Sequence, residues 1–163
     1  MIISDLDPEF LEKRPVLDNK YRILDTIGEG RFAKFILFQN FVFFNILLIA
    51  FIFRVKIAVD LENERTYAIK IMRESQINTN HKMENFIKEV QLLSEIHHSH
   101  IIDILHVNLN GVYTKYDGRV IKVVYYVMKY AEYGELYNFL EHTPHFSEDI
   151  ARYYFHQLIE GKI

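Results

Sequence analysis

From Phe35 to Phe53 the chain runs FILFQNFVFFNILLIAFIF, nineteen residues with no charge and only Gln39, Asn40 and Asn45 polar. At about 1.5 Å per helical residue such a run just covers about 30 Å of hydrocarbon, so length permits a membrane span. Its flanks constrain it more. Ile27-Gly28-Glu29-Gly30-Arg31-Phe32-Ala33-Lys34 precedes it, and Val55-Lys56-Ile57-Ala58-Val59-Asp60 follows. Removing residues 35–54 joins Lys34 to Val55 and makes an amphipathic strand. Ala33, Val55, Ile57 and Val59 then share one face, and Lys34, Lys56 and Ala58 the other. The expectation is that residues 35–54 interrupt a β-hairpin, as an AT-rich intron translated in frame would, given the Phe, Ile, Leu and Asn bias. A membrane-inserted helix and an ordered local insertion are the alternatives.

The remaining composition is that of a folding chain. Of 163 residues half are apolar and a quarter charged, enough for a core and too apolar for wholesale disorder. That length holds one domain, or part of a larger enzyme. A net charge of −3 supplies no basic field, so a nucleic-acid partner is not expected. With no cysteine, disulfides, thiolate zinc sites and cysteine nucleophiles are excluded. The start of the chain carries Asp5, Asp7, Glu9 and Glu12 and lacks the basic and apolar regions of a secretory signal, which predicts a cytoplasmic location. A membrane location is the alternative should residues 35–53 span a bilayer.

Chemistry gathers around one lysine. Tyr21 to Ile27 alternates as a strand, and Gly28-Glu29-Gly30 then allows positive φ and a close backbone approach, as a phosphate-cradling turn needs and as a plain hairpin turn also would. In Thr66-Tyr67-Ala68-Ile69-Lys70-Ile71-Met72, alternation puts Tyr67, Ile69 and Ile71 on one face and Ala68, Lys70 and Met72 on the other. An ammonium on a buried face needs an anion, unless the strand is an edge and the lysine reaches solvent. A helix predicted over 80–97 repeats Met83, Phe86, Ile87, Val90, Leu93 and Ile96 at helical spacing. Glu89 borders that stripe and can meet Lys70, whereas Glu84 and Glu95 lie farther round, toward solvent.

This order of parts resembles the small lobe of a eukaryotic protein kinase. Ile27-Gly28-Glu29-Gly30-Arg31-Phe32-Ala33 resembles the nucleotide-covering loop, with Ala33 at its last glycine and Val55 as the displaced roof valine. Tyr67-Ala68-Ile69-Lys70 resembles the family's Val-Ala-Ile-Lys. The resemblance implies that Lys70 contacts the α and β phosphates of ATP and that Glu89 pairs with it. His98-Ser99-His100-Ile101 is similar to the family's His-Pro-Asn-Ile turn, with two positions changed. Val120 to Met128 reads as a core strand, and the segment it enters, Lys129-Tyr130-Ala131-Glu132-Tyr133-Gly134-Glu135-Leu136, resembles the hinge. Met128 is implied as gatekeeper, the backbone near Ala131 as the adenine contact, and Glu135 as a neighbour of the ribose or of a basic substrate side chain. Lys129 stands where the family has glutamate. The hinge and helix segments, notably residues 133–136, resemble those of the calcium/calmodulin-dependent and related serine/threonine kinases.

The implied fold is α+β. A twisted antiparallel five-stranded sheet with one main helix is followed by the first helices of a truncated large lobe, with a short helix from Leu136 and a longer one capped by Ser147. The implied boundaries are an N-terminal extension at 1–20, the small lobe at 21–128 with its interruption at 35–54, the hinge at 129–135, and the start of the large lobe at 136–163. Neither a His-Arg-Asp loop nor Asp-Phe-Gly occurs in these residues, so no catalytic residue is assigned. ATP is the implied cofactor, magnesium is expected of the complete enzyme, and a protein is its substrate. ATP binding by this chain is expected to be weak, because the covering loop is split. A noncatalytic, pseudokinase-like binding module and a membrane-anchored protein are the competing readings.

His97, His98, His100 and His106 raise zinc, but no His-Glu-x-x-His pattern accompanies them, and a solvated helix-ending turn explains them more simply. Residues 108–119, with Asn110-Gly111 and Asp117-Gly118, are expected to connect two strands.

Overall fold

A computed structural model describes residues 8–29, 54–77, 80–143 and 145–161. In chain order these form α1 (Pro8–Glu12), β1 (Val16–Leu17), β2 (Tyr21–Glu29), β3 (Arg54–Asp60), β4 (Thr66–Arg73), a 3-10 turn (Glu74–Gln76), α2 (Asn80–Glu95), β5 (Ile104–Thr114), β6 (Val120–Lys129), α3 (Leu136–His142) and α4 (Glu148–Glu160). The run from Phe35 to Phe53 lies outside the described residues. The strands on either side of it pair as an antiparallel hairpin, from Tyr21 opposite Asp60 to Glu29 opposite Arg54. Arg54, expected within the interruption, is therefore the first residue of β3.

The sheet is antiparallel throughout and closes in the order β1-β2-β3-β4-β6-β5. Among the described residues six strands form it, where five were expected. The sixth is β1, within the segment expected to be an N-terminal extension, and it pairs with both β2 and β5. The β1–β2 connection turns through Asp18 and Asn19 at φ 50° and 53°, with the Lys20 amide donating to Leu17 O at 3.0 Å. Asp and Asn tolerate this left-handed backbone better than other non-glycine residues.

The Asp18 carboxylate then fastens the closure. It accepts from the Val112 amide at 2.6 Å, Asn108 Nδ2 at 2.6 Å and Tyr125 Oη at 2.6 Å. Burial, followed by the bond to Asp18, raises the Tyr125 phenol well above its ordinary value, so it stays protonated and donates. Asp18→Asn keeps the backbone preference but leaves one carbonyl oxygen for three donors. We expect it to lower stability by about 1–2 kcal/mol. Chemical denaturation would measure this, and an unchanged midpoint would contradict it.

Two apolar clusters lie on opposite faces of the sheet. Inside the barrel, Leu17, Tyr21, Ile23, Ala58, Ile69, Ile71, Val123, Tyr125 and Val127 pack together. On the outer face, Met72, Ile77, Phe86, Val124 and Tyr126 join α2 to the sheet, with Met83 and Val90 alongside. Strand β6 is buried from Val123 to Val127, which explains its lack of polar alternation. Helix α2 ends at Glu95, two residues short of the expected end. Helix α4 begins as expected after Ser147, whose Oγ accepts from the Ile150 amide at 3.5 Å.

The expected connection over 108–119 is corrected. Strand β5 continues to Thr114, with a register irregularity between Asn108 and Gly111. The turn is confined to 115–119, where Gly118 takes φ 79°. Asn110-Gly111 thus marks a bulge in the strand and not a hairpin turn. Among the described residues no helix is long and apolar enough to cross a membrane.

Candidate functional site

Register builds the site. Lys70 on β4 lies opposite Val55 on β3 and Tyr126 on β6, and Ala68 lies opposite Met128. Directly paired residues of antiparallel strands project to the same side, so Val55, Ala68, Lys70, Tyr126 and Met128 share the sheet face that α2 covers. One strand farther out, Gly28 pairs with Val55. The end of the glycine strand thus stands in line with the lysine, two strands away.

Helix α2 brings Glu89 to that face. Lys70 Nζ lies 2.5 Å from Glu89 Oε1, with the side chains 18% and 32% exposed. The same oxygen accepts from Tyr126 Oη at 2.9 Å, and Lys70 Nζ lies 5.5 Å from the Tyr126 ring centroid. The lysine thus meets its anion, and the solvent-reaching edge alternative does not hold, because β4 is paired on both sides. Charge-assisted hydrogen bonds and an aromatic face offset the cost of withdrawing the ammonium from water. Burial, then the Glu89 charge, raises the Tyr126 phenol well above its ordinary value. It stays a donor throughout the physiological range.

The other expected site residues are distributed as follows. Ile27 is exposed near the end of β2. Gly30 and Ala33 lie outside the described residues. Ala131 is exposed past the end of β6, and its carbonyl accepts from the Gly134 amide at 3.2 Å in a turn where Gly134 takes φ 73°. Glu135 is exposed at the start of α3, without a side-chain capping bond. Lys129, at the position where the family carries an acid, meets Asp103 Oδ2 at 2.7 Å, and this bond holds the Asp103 carboxyl below the usual range.

Sequence reasoning missed Tyr126. Only its place opposite Lys70 could have singled it out, and that register depends on pairing two strands some fifty residues apart.

The histidine group is dispersed by function. His98 Nδ1 accepts from the His100 amide at 3.2 Å, and His100 Nε2 lies 3.0 Å from Glu160 Oε2 on α4. Among the described residues no group of three or more His, Asp or Glu is placed to hold a metal ion.

A small closed sheet, one long helix and a strand lysine paired to a helix glutamate define a kinase-type small lobe, and the comparisons agree. The protein kinase domain family model matches residues 53–162, and the chain belongs to that family. It is 28% identical to human (Homo sapiens) NUAK family SNF1-like kinase 1 over 145 residues, which is 89% of this chain and 17% of that protein. With CBL-interacting protein kinase 30 of Oryza sativa subsp. japonica it shares 28% over 144 residues, 88% of this chain and 24% of that protein. It thus spans no more than about a quarter of the length of these relatives. For a complete enzyme the family implies ATP and magnesium. The α2 face thus brings together the small Ala68, the apolar Val55 and Met128, and the cation of Lys70.

Proposed function

We propose that this chain carries the ATP-binding small lobe and the first part of the large lobe of a serine/threonine protein kinase. The parent reaction is transfer of the ATP γ-phosphate to a protein Ser or Thr. The observation that carries this reading is the Lys70–Glu89 pair, 2.5 Å apart, on the face where Gly28, Val55 and Lys70 fall into one row.

In this reading Ile27, Gly28, Gly30 and Ala33 cover the nucleotide, while Val55 and Ala68 pack on the adenine and Met128 closes the back of its pocket. The backbone about Ala131 bonds the adenine edge, Glu135 lies near the ribose, and Lys70 holds the phosphates. Residues 21–128, joined by the closing strand β1, form the small lobe around the apolar interruption, 129–135 the hinge, and 136–163 the start of the large lobe. The serine/threonine type is supported by the likeness of residues 133–136 to such kinases. When bound, magnesium would neutralise phosphate charge.

An ATP acyl phosphate tests the site. A lysine amine beside the phosphates, its proton given to solvent, attacks the acyl carbon; an amide forms on the lysine as the acyl–phosphate bond breaks, and ATP departs. We expect mass spectrometry to find the label on Lys70, with excess ATP suppressing it. Labelling spread over the chain's lysines and indifferent to ATP would sink the reading.

A further inference from the structure

Tyr126 is 3% exposed, and its ring lies against Phe86 of α2 with centroids 5.8 Å apart. Its hydroxyl donates to Glu89 Oε1, the oxygen that also takes Lys70 Nζ. Three elements therefore meet at one carboxylate oxygen: β4 through Lys70, α2 through Glu89 and β6 through Tyr126.

We propose that Tyr126 is a positioning residue for Lys70: by donating to Glu89 it fixes the carboxylate on α2 and so aims the ammonium at the phosphates of a nucleotide. The proposal rests on the nucleotide-site reading above. Glutamate is rich in rotamers, and a single ion pair at a partly exposed site restrains it little. A second donor, fixed in the centre of the sheet by strand pairing and aromatic packing, removes that freedom. It also gives Glu89 a partner that does not leave. When Lys70 turns its protons toward a phosphate, the Tyr126 hydroxyl keeps the carboxylate satisfied, which lowers the cost of sharing the lysine.

Tyr126→Phe removes the donor and retains the ring that packs on Phe86 and faces Lys70. ATP and adenosine, titrated separately into the 163-residue chain and followed by NMR, distinguish positioning from mere packing, because Lys70 meets only phosphates. Tyr126→Phe should weaken ATP binding about tenfold, the loss of one hydrogen bond to a charged group, and leave adenosine unchanged. Equal losses for both ligands, or no loss for either, would overturn the proposal.

A second measurement needs neither nucleotide nor a folded variant. In mixed H2O and D2O a slowly exchanging hydroxyl splits the Tyr126 Cζ signal of the wild-type chain, and we expect that splitting. A rapidly exchanging Tyr126 hydroxyl would overturn the proposal even if Tyr126→Phe failed to fold. A slow hydroxyl in a chain that binds neither ligand would instead overturn the nucleotide-site reading. The aiming role would fall with it, and Tyr126 would remain a clamp between α2 and the sheet.

Discussion

Gly111→Ala is expected to lower the stability of the barrel by about 2–3 kcal/mol, or roughly 4–12 °C in melting temperature, more than most single methyl additions cost. A Cβ at residue 111 would stand 2.6 Å from Tyr125 Cε1, 2.7 Å from Tyr125 Cδ1 and 3.3 Å from Val123 Cγ2. The ring cannot retreat easily. Tyr125 is 1% exposed, sits edge-on to Tyr21 with centroids 6.3 Å apart, and is tied at its far end to Asp18. Relief would require breaking the bond to Asp18 or moving β5 away from β6 at the bulge, and either loosens the β1–β5 closure. A double-mutant cycle isolates the cause. With Tyr125→Leu already present, the alanine should cost under about 1 kcal/mol. An equal cost in both backgrounds would show that the clash lies elsewhere.

The same pair of residues marks the limit of what could be read from the chain. Asn110-Gly111 looks like a hairpin turn, since the dipeptide suits a primed turn as well as it suits a bulge. The glycine is there because a ring from the neighbouring strand occupies the space of its side chain, a fact about pairing 123–127 against 104–114 and not about local sequence. Asp18 was passed over for a similar reason. Its three acceptor bonds reach residues 90, 94 and 107 positions away, and nothing within 1–20 announces them.

Periodicity worked where one element decides the outcome. Alternation placed Lys70 with Ala68 and Met72, away from Ile69 and Ile71, and those two sets fall on opposite sides of the sheet. Helical spacing placed Phe86 and Val90 against the sheet and Glu89 beside them. The Lys70–Glu89 meeting was legible because each partner advertised itself, an ammonium on an apolar face and a carboxylate at the edge of an apolar stripe. Tyr126 advertised nothing, because a tyrosine among valines in a strand reads as core. On β3 alternation divided the side chains correctly without showing which face would turn inward. Ala58 enters the barrel core, while Lys56 reaches Thr26 Oγ1 at 2.9 Å.

The largest functional effect should come from Lys70→Met in an enzyme from which residues 35–53 have been removed and to which a large lobe bearing His-Arg-Asp and Asp-Phe-Gly has been supplied. Methionine matches the lysine stem in length and suits the half-buried position beside Tyr126, so the fold should survive. Glu89 would lose its ammonium partner yet keep the Tyr126 hydroxyl at 2.9 Å. The stability cost is therefore expected near 1–2 kcal/mol, between the values for exposed pairs and for fully buried ones. Phosphotransfer has no such reserve. In the proposed reading Lys70 meets the α and β phosphates and is fixed before reaction by Glu89, and removing one preorganised charge of this kind typically costs on the order of 10²–10³ in rate. Glu89→Gln should fall between wild type and Lys70→Met, because the amide oxygen still accepts from Lys70 and Tyr126 but holds the ammonium without a full charge. Steady-state phosphorylation of a peptide, measured beside thermal unfolding of the same variants, separates the two effects. Activity within tenfold of wild type in a folded Lys70→Met enzyme would remove Lys70 from the phosphate site and leave its pair with Glu89 a structural tie between β4 and α2.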